Sequence, residues 1–154
     1  MPERRHAGYR IAAMSIADFD DVLRLWKATE GMGLTDSDSR ERTAQYLERN
    51  PGLSLVARHG QEIVATILCG HDGRRGYLYH LAVAPPHRRK GLGRQLVRLC
   101  LARLEELGIL KCNAYVFADN ADGEAFWLRH GWELRPGVKL LQKPLKHADG
   151  NRCC

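Results

Sequence analysis

The chain has 154 residues, of which 44% are hydrophobic and 27% charged, and its formal net charge is +6 at pH 7. This length and composition fit one globular domain with a sizeable core, and they exclude a disordered or fibrous chain. No apolar stretch approaches the roughly 20 residues that span a bilayer, and the first residues lack a signal-peptide pattern. The five cysteines show neither a disulfide framework nor a metal-binding spacing, so we expect a cytoplasmic protein without a metal.

Apolar periodicity predicts a single domain over residues 9–145, with a flexible segment (1–8) before it and a disordered tail (146–154) after it. The predicted order of elements is β-α-α-β-β-β-α-β-α-β-β. Strands are expected at 9–14, 53–58, 62–69, 77–83, 111–117, 132–134 and 138–145. Helices are expected from the N-cap Ser15 to about Thr29, at 40–49, at 91–107 and after Asn120.

The stretch after the fourth strand carries the most specific signal. Two glycines and several cations precede a long amphipathic helix, whose first N–H groups lack intrahelical partners. Because glycine has no Cβ, an anion can approach this backbone closely, so the stretch predicts a phosphate site. The alternative is a plain turn with solvated cations. The candidate residues are Arg88, Arg89, Lys90, Gly91, Leu92, Gly93 and Arg94.

The spacing Arg88-x-x-Gly91-x-Gly93 fits neither a Walker loop nor a dinucleotide fingerprint. It resembles the Q/R-x-x-G-x-G/A signature of the GNAT superfamily of acyl-CoA-dependent N-acyltransferases. The segment from Asn120 to Trp132 resembles that family's N-x-x-A-x-x-L/F-Y-x-x-x-G-F/W pattern, and the element order agrees. The turn GHDGRRG and the segment FWLRHGW resemble small bacterial YpeA-like acetyltransferases in particular. The resemblance implies an α+β fold in α/β/α layers, with a mixed, mostly antiparallel twisted sheet of about seven strands and four helices.

The resemblance also implies acetyl-CoA as co-substrate and direct transfer of its acetyl group to a primary amine in a ternary complex. The phosphate loop would hold the pyrophosphate, and a main-chain N–H near Leu81 would stabilise the oxyanion. Trp127 stands where the family often has a tyrosine acid, and an indole N–H cannot replace that acid. The implied partners of the pantetheine arm are the backbone of Leu81, Ala82 and Val83, and the side chains of Asn120 and Trp127.

The acceptor amine must lose a proton, which requires a base. Tyr79 and His80 are the candidates on the central strand, His80 as the base and Tyr79 as a residue that orients a water, and strand alternation places them on opposite faces. A histidine titrates near neutral pH, although a buried histidine bound to the backbone is the competing interpretation of His80. The loop between the first two helices usually shapes the acceptor site in this family. Its candidate acceptor-binding residues are Glu30, Met32 and Asp36.

Other functions remain open from the sequence alone. The acceptor can be a protein N-terminus or a lysine, and the tryptophan at position 127 leaves open a CoA-binding sensor without activity. The positive charge alone suggests nucleic acid, but no aromatic or sequence motif supports it, so we expect no nucleic-acid or membrane partner. Many family members dimerise, which makes a homodimer possible here.

Overall fold

The computed structural model describes residues 3–145, which contain a six-stranded sheet and four α-helices. The strands lie side by side in chain order, and neighbours are antiparallel except for the last pair, which is parallel. The strands are β1 (Arg4–His6), β2 (Tyr9–Ala13), β3 (Leu55–His59), β4 (Glu62–His71), β5 (Gly76–Val83) and β6 (Cys112–Ala114). The helices are α1 (Phe19–Ala28), α2 (Arg40–Arg49), α3 (Leu92–Glu106) and α4 (Ala121–Arg129).

Helices cover both faces of the sheet, as the predicted layering requires. On one face, Leu96 and Leu104 of α3 are buried against strand residues such as Leu78, and α4 packs at the edge of this cluster. On the other face, Val22 and Trp26 of α1 form a second cluster, and side chains of α2 pack against it. The apolar stripe of each helix therefore faces the sheet, and the predicted α+β fold is confirmed.

The helix ends follow the predicted signals. Ser15 and Asp18 form the expected capping box, with the Ser15 N–H donating to the Asp18 carboxylate at 3.0 Å, although the first turn is a 3-10 turn. Ser39 caps α2 by accepting from the Arg42 N–H at 3.2 Å. Gly108 ends α3 with φ of +76°, the left-handed conformation that glycine adopts most easily.

A β-bulge interrupts the pairing of β4 with β5. Thr66 lies opposite Ala82 and Leu68 lies opposite Tyr79, so two residues of β5 face one residue of β4. His80 lies in the bulge with φ of +51°, which is rare for a residue other than glycine. The extra residue shifts the alternation, and Tyr79 and His80 both contact residues of the α1 and α2 layer. The prediction that they lie on opposite faces was wrong for this reason.

The strand count differs from the prediction of about seven. Within residues 3–145, β1 is additional and lies in the segment expected to be flexible, while 132–134 and 138–145 form no strand. Leu134 and Leu141 are exposed, so the apolar residues of this segment do not pack into the core. β6 covers only part of the predicted 111–117. The predicted tail (146–154) lies outside the described residues.

The described part of the chain shows neither a membrane-spanning helix nor a cluster of metal-binding side chains. No helix in residues 3–145 is long and apolar enough to cross a membrane. Those residues also contain no group of three or more His, Cys, Asp or Glu side chains placed to hold a metal ion.

Thr66 links the bulge to α1. Its hydroxyl accepts from the Trp26 indole N–H at 3.0 Å and donates to the His80 carbonyl at 3.3 Å, and all of Thr66 is buried. We expect Thr66→Val to lower the free energy of unfolding by about 1–3 kcal/mol, because the buried indole N–H loses its partner. Urea unfolding measures this. Ser37→Ala, at an exposed position, is the control, and equal stability of the two variants would contradict the assignment.

Candidate functional site

The start of α3 presents free backbone donors. The first intrahelical bond of this helix runs from the Gln95 N–H to the Gly91 carbonyl at 3.0 Å. The N–H groups of residues 92–94 therefore precede the helical ladder and point out of the helix end, where the macrodipole is positive. The loop before it turns through two positive φ angles, +59° at Arg89 and +75° at Gly91. This geometry is suited to an anion, as the sequence predicted.

Gly91 and Gly93 serve this helix start in different ways. Gly91 has a left-handed backbone, and a Cβ there would have only His6 Nε2 nearby, at 4.0 Å. A Cβ on Gly93 would make ordinary contacts of 3.6–3.7 Å with Phe126 and Val83. Gly91 is therefore required by conformation. Glycine at position 93 leaves the backbone accessible to an anion, although a Cβ there would not clash with its neighbours.

The cations of the loop are exposed, and they divide into two roles. Arg88 donates from Nε to the Val83 carbonyl at 2.8 Å, so it ties the loop to the end of β5. Arg89, Lys90 and Arg94 form no ion pair with the described residues, and their charge surrounds the helix start. Leu92 is buried in the core, so only its backbone faces the loop.

A gap opens between β5 and β6 beside this loop. Among the described residues their pairing ends at Leu78 and Ala114, so the rest of β5 has no neighbouring strand on that side. The Ala84 N–H donates to the Val64 carbonyl at 2.8 Å, so the backbone groups of Ala84 face β4. Along a strand, the backbone groups of successive residues point alternately to the two neighbouring sides. Leu81 and Val83 therefore direct backbone groups into the gap. Ala82 faces β4 instead, unlike the sequence-based expectation for its backbone.

A histidine–carboxylate pair stands at the bulge. His80 Nε2 lies 2.6 Å from Asp38 Oδ1, and the two side chains are only 16% and 12% exposed. The other carboxylate oxygen accepts from the Thr35 N–H at 2.8 Å, and the Trp26 ring meets the imidazole edge-on at 4.8 Å. When Asp38 is ionised, Nε2 donates to it and Nδ1 keeps its lone pair. The pair thus holds His80 ready to accept a proton at Nδ1.

The environment keeps Asp38 ionised. Partial burial raises the pKa of this carboxyl, but the hydrogen bonds from His80 and from the Thr35 backbone outweigh that effect. The net pKa of Asp38 therefore lies below its ordinary value. Asp38 was not among the predicted site residues. The spacing of Thr35 and Asp38, which form a capping box, was the available signal that this carboxylate is held in place.

The other predicted acceptor residues do not join this pair. Glu30 and Asp36 are exposed and have no ion-pair partner among the described residues, while Met32 packs against the α1 cluster.

Tyr79 lies beside His80 but stacks with other tyrosines, and burial raises its pKa to about 12. A phenol with this pKa keeps its proton at neutral pH, so Tyr79 is not a base there.

Asn120 and Trp127 have structural partners. The Asn120 side chain accepts from the Gly123 N–H at 2.9 Å and caps α4. It also faces the loop after α1, because a Cβ on Gly31 would lie 2.9 Å from its amide nitrogen. Trp127 packs edge-on against Trp132 at 4.7 Å between ring centres, at the rim of the α3 core. Neither position contradicts a cofactor role, which stays a prediction.

The pKa of Asp38 offers a direct test of the pair. Because it is lowered, the stabilisation by the ionised carboxylate is complete above about pH 4 and is lost as pH falls through the lower native value. An NMR titration of the Asp38 carboxyl should give a midpoint below about 4. Asp38→Asn should reduce stability more at pH 7 than at pH 3, whereas Asp36→Asn should change it little at either. A midpoint at or above the ordinary value would contradict the geometry.

Comparison with known proteins agrees with this architecture. The profile described as the acetyltransferase (GNAT) family matches residues 19–132, well over half of the chain. The chain is 31% identical to acetyltransferase SG1711 of Sodalis glossinidius over 128 residues, which are 83% of this chain and 89% of that protein.

Two solved structures share the fold at low identity. The PaiA N-acetyltransferase of Thermoplasma acidophilum, in complex with coenzyme A, has a TM-score of 0.70 at 19% identity and covers 94% of this chain and 96% of its own. The ribosomal-protein-S18-alanine N-acetyltransferase of Escherichia coli has a TM-score of 0.70 at 20% identity, over 94% and 88% of the two chains. The resemblance noted in the sequence is confirmed: the chain belongs to the acetyltransferase (GNAT) family and is an acetyltransferase enzyme.

Proposed function

We propose that this enzyme transfers the acetyl group of acetyl-CoA to a primary amine by direct attack in a ternary complex. One observation carries the proposal: the strand β5 borders both the gap toward β6 and the helix start of α3, which together suit the acyl donor. Its unpaired edge faces the gap toward β6, and its end leads into the open helix start of α3. The coenzyme A complex of a protein with the same fold supports this choice of donor.

The described residues fit this donor. The N–H groups of residues 92–94 and the charges of Arg89, Lys90 and Arg94 suit a pyrophosphate. The backbone of Leu81 and Val83 offers hydrogen bonds to the amides of a pantetheine arm in the gap, as an added strand would. Bound acetyl-CoA supplies an activated thioester. The Leu81 N–H, next to the bulge, is the donor we assign to the acetyl oxygen, and one such donor is worth about 2.7–4 kcal/mol.

His80 is the proposed base. An amine with an ordinary pKa near 10.4 is mostly protonated at neutral pH and must lose a proton to become a nucleophile. His80 Nδ1 takes that proton, and the resulting imidazolium is stabilised by the Asp38 carboxylate at 2.6 Å from Nε2. Asp38 also fixes the ring orientation and tautomer. The C–S bond breaks with coenzyme A leaving as a thiolate, which a thiol pKa of about 8.5 permits without a dedicated acid. Trp127 supplies no proton to it, because an indole N–H is not a useful acid.

Release of free thiol from acetyl-CoA in the presence of an amine panel tests the reaction. We expect at least one primary amine to accelerate thiol release, with an equal amount of acetylated product. If acetyl-CoA binds but no primary amine accelerates thiol release, the proposed reaction is wrong.

The donor site is tested by a matched pair of variants at the two ends of α3. Gly91→Glu places a carboxylate and a side chain at the anion-binding helix start, so the dissociation constant of acetyl-CoA should rise at least about tenfold. Gly108→Glu has nearly the same backbone angle, φ of +76° against +75°, and should leave affinity within about twofold. Calorimetry measures both, and equal affinities would refute the phosphate-loop assignment.

A further inference from the structure

A continuous series of contacts joins the bulge to the segment after β6 and to the loop between α1 and α2. Tyr79 directly precedes His80, and its ring stacks with that of Tyr115 at 6.1 Å between centres. Phe117 follows Tyr115 by two residues. A Cβ on Gly33 would lie 2.5 Å from the Phe117 ring, so this ring packs directly on the backbone of the α1–α2 loop.

The series closes on itself at Asp38. This residue follows Gly33 by five positions in the same loop, and its carboxylate lies 2.6 Å from His80 Nε2. A second contact, between Gly31 and the amide of Asn120, holds the same two segments together. We call this closed series the acceptor rim, and its members are Gly33, Asp38, Tyr79, His80, Tyr115 and Phe117.

The acceptor rim lies at the opening of the gap between β5 and β6. The pairing of the two strands ends at Leu78 and Ala114, and the next residues are Tyr79 and Tyr115. Their rings therefore flank the point where the gap begins. The main-chain donor that we assign to the acetyl oxygen directly follows His80, so an amine that attacks the acetyl carbon has to bind beside this rim.

The exposed aromatic surface of the protein is concentrated in the acceptor rim. Tyr79, Tyr115 and Phe117 are 37%, 53% and 57% exposed, and the other phenylalanine, tyrosine and tryptophan side chains of residues 3–145 are buried or half-buried. Exposed apolar side chains that cluster at one place mark a binding surface, whereas scattered ones do not. The planes of Tyr79 and Tyr115 are 23° apart, so the ring of a ligand can continue their stack.

The charges around the acceptor rim favour an uncharged group there. The Asp38 carboxylate is already paired with His80. Burial raises the pKa of Tyr79 to about 12, so its phenol is neutral at pH 7. Glu30 and Asp36, in the same loop, are exposed, and water and salt screen their charges. The part of the acceptor that contacts the rim therefore gains from aromatic contact more than from a second charge.

We infer that the acceptor is a primary amine joined to an aromatic ring by a short aliphatic spacer. The spacer is short because the aromatic surface begins at Tyr79, one strand residue or about 3.3 Å from His80. The ring of the acceptor packs against Tyr115 and Phe117. This inference rests on the proposed function. It adds the substrate class and assigns Tyr115 and Phe117 as specificity-determining residues.

Thiol release with matched amines tests the inference. 2-Phenylethylamine and 2-cyclohexylethylamine have the same spacer and a similar apolar size, but only the first is aromatic. After correction for the different pKa values of the two amines, we expect kcat/KM for 2-phenylethylamine to be roughly three- to tenfold higher. Butane-1,4-diamine, which replaces the ring by a second charge, and an alanyl peptide should both be poorer acceptors than 2-phenylethylamine.

Variants then locate the effect. Tyr115→Leu and Phe117→Leu keep an apolar side chain but lose the ring, so each should bring the ratio of the two kcat/KM values below about twofold by raising KM for 2-phenylethylamine. Tyr115→Phe keeps the ring and should retain the preference. Leu110→Ala, at a position that is 89% exposed and outside the rim, should also retain it. Because both aromatic side chains are exposed, their replacement should shift the unfolding midpoint little, which separates a raised KM from misfolding.

The outcomes distinguish this inference from the proposed function. Equal kcat/KM values for the two matched amines would overturn the inference while leaving the acetyltransferase reaction intact. The same holds if the diamine or the peptide is a better acceptor than 2-phenylethylamine. A preference that survives in both Tyr115→Leu and Phe117→Leu would place the ring elsewhere and overturn the inference as well. If no primary amine accelerates thiol release, the proposed function fails and this inference fails with it.

Discussion

The β-bulge at His80 is the constraint on which the rest of the site depends. One extra residue in β5, with φ of +51° at His80, reverses the side-chain alternation within the strand. Without it, His80 would face the α3 layer and could not reach Asp38. With it, the imidazole and the ring of Tyr79 both face the α1 and α2 layer, and the backbone of Leu81 faces the gap. A strained residue therefore places the candidate base and the candidate oxyanion donor next to each other.

Neighbouring elements hold this conformation in place. Thr66 bonds the His80 carbonyl and the Trp26 indole, which connects the bulge to α1. Asp38 bonds the imidazole and is itself fixed by the Thr35 N–H, which connects the bulge to the turn before α2. Strain at a residue persists only where its surroundings enforce it. Here Asp38 both enforces the bulge and orients the imidazole, so stability of the bulge and orientation of the candidate base have the same origin.

The sequence predicted the helix start of α3 far better than the pairing of His80 with Asp38. Gly91 and the free helix start of α3 are local features, so the spacing of Arg88, Gly91 and Gly93 was enough to identify them. The pairing of His80 with Asp38 depends instead on a bulge whose position is fixed by contacts with β4, and periodicity alone places the histidine on the wrong face. The strands predicted at 132–134 and 138–145 are absent, because an apolar pattern alone does not establish the backbone pairing that makes a strand.

The pH dependence of kcat/KM for the acceptor tests the central claim, that the bulge places His80 as the base. If His80 takes a proton from the ammonium form of the acceptor, log kcat/KM stops rising once the base is deprotonated, whereas without the base it keeps rising with a slope of about one until the amine itself loses its proton near its ordinary pKa of about 10.4. We expect wild type and His59→Gln, an exposed histidine, to level off well below the pKa of the amine, and His80→Gln to show a lower rate that keeps rising toward that pKa. An unchanged profile in His80→Gln would contradict the account.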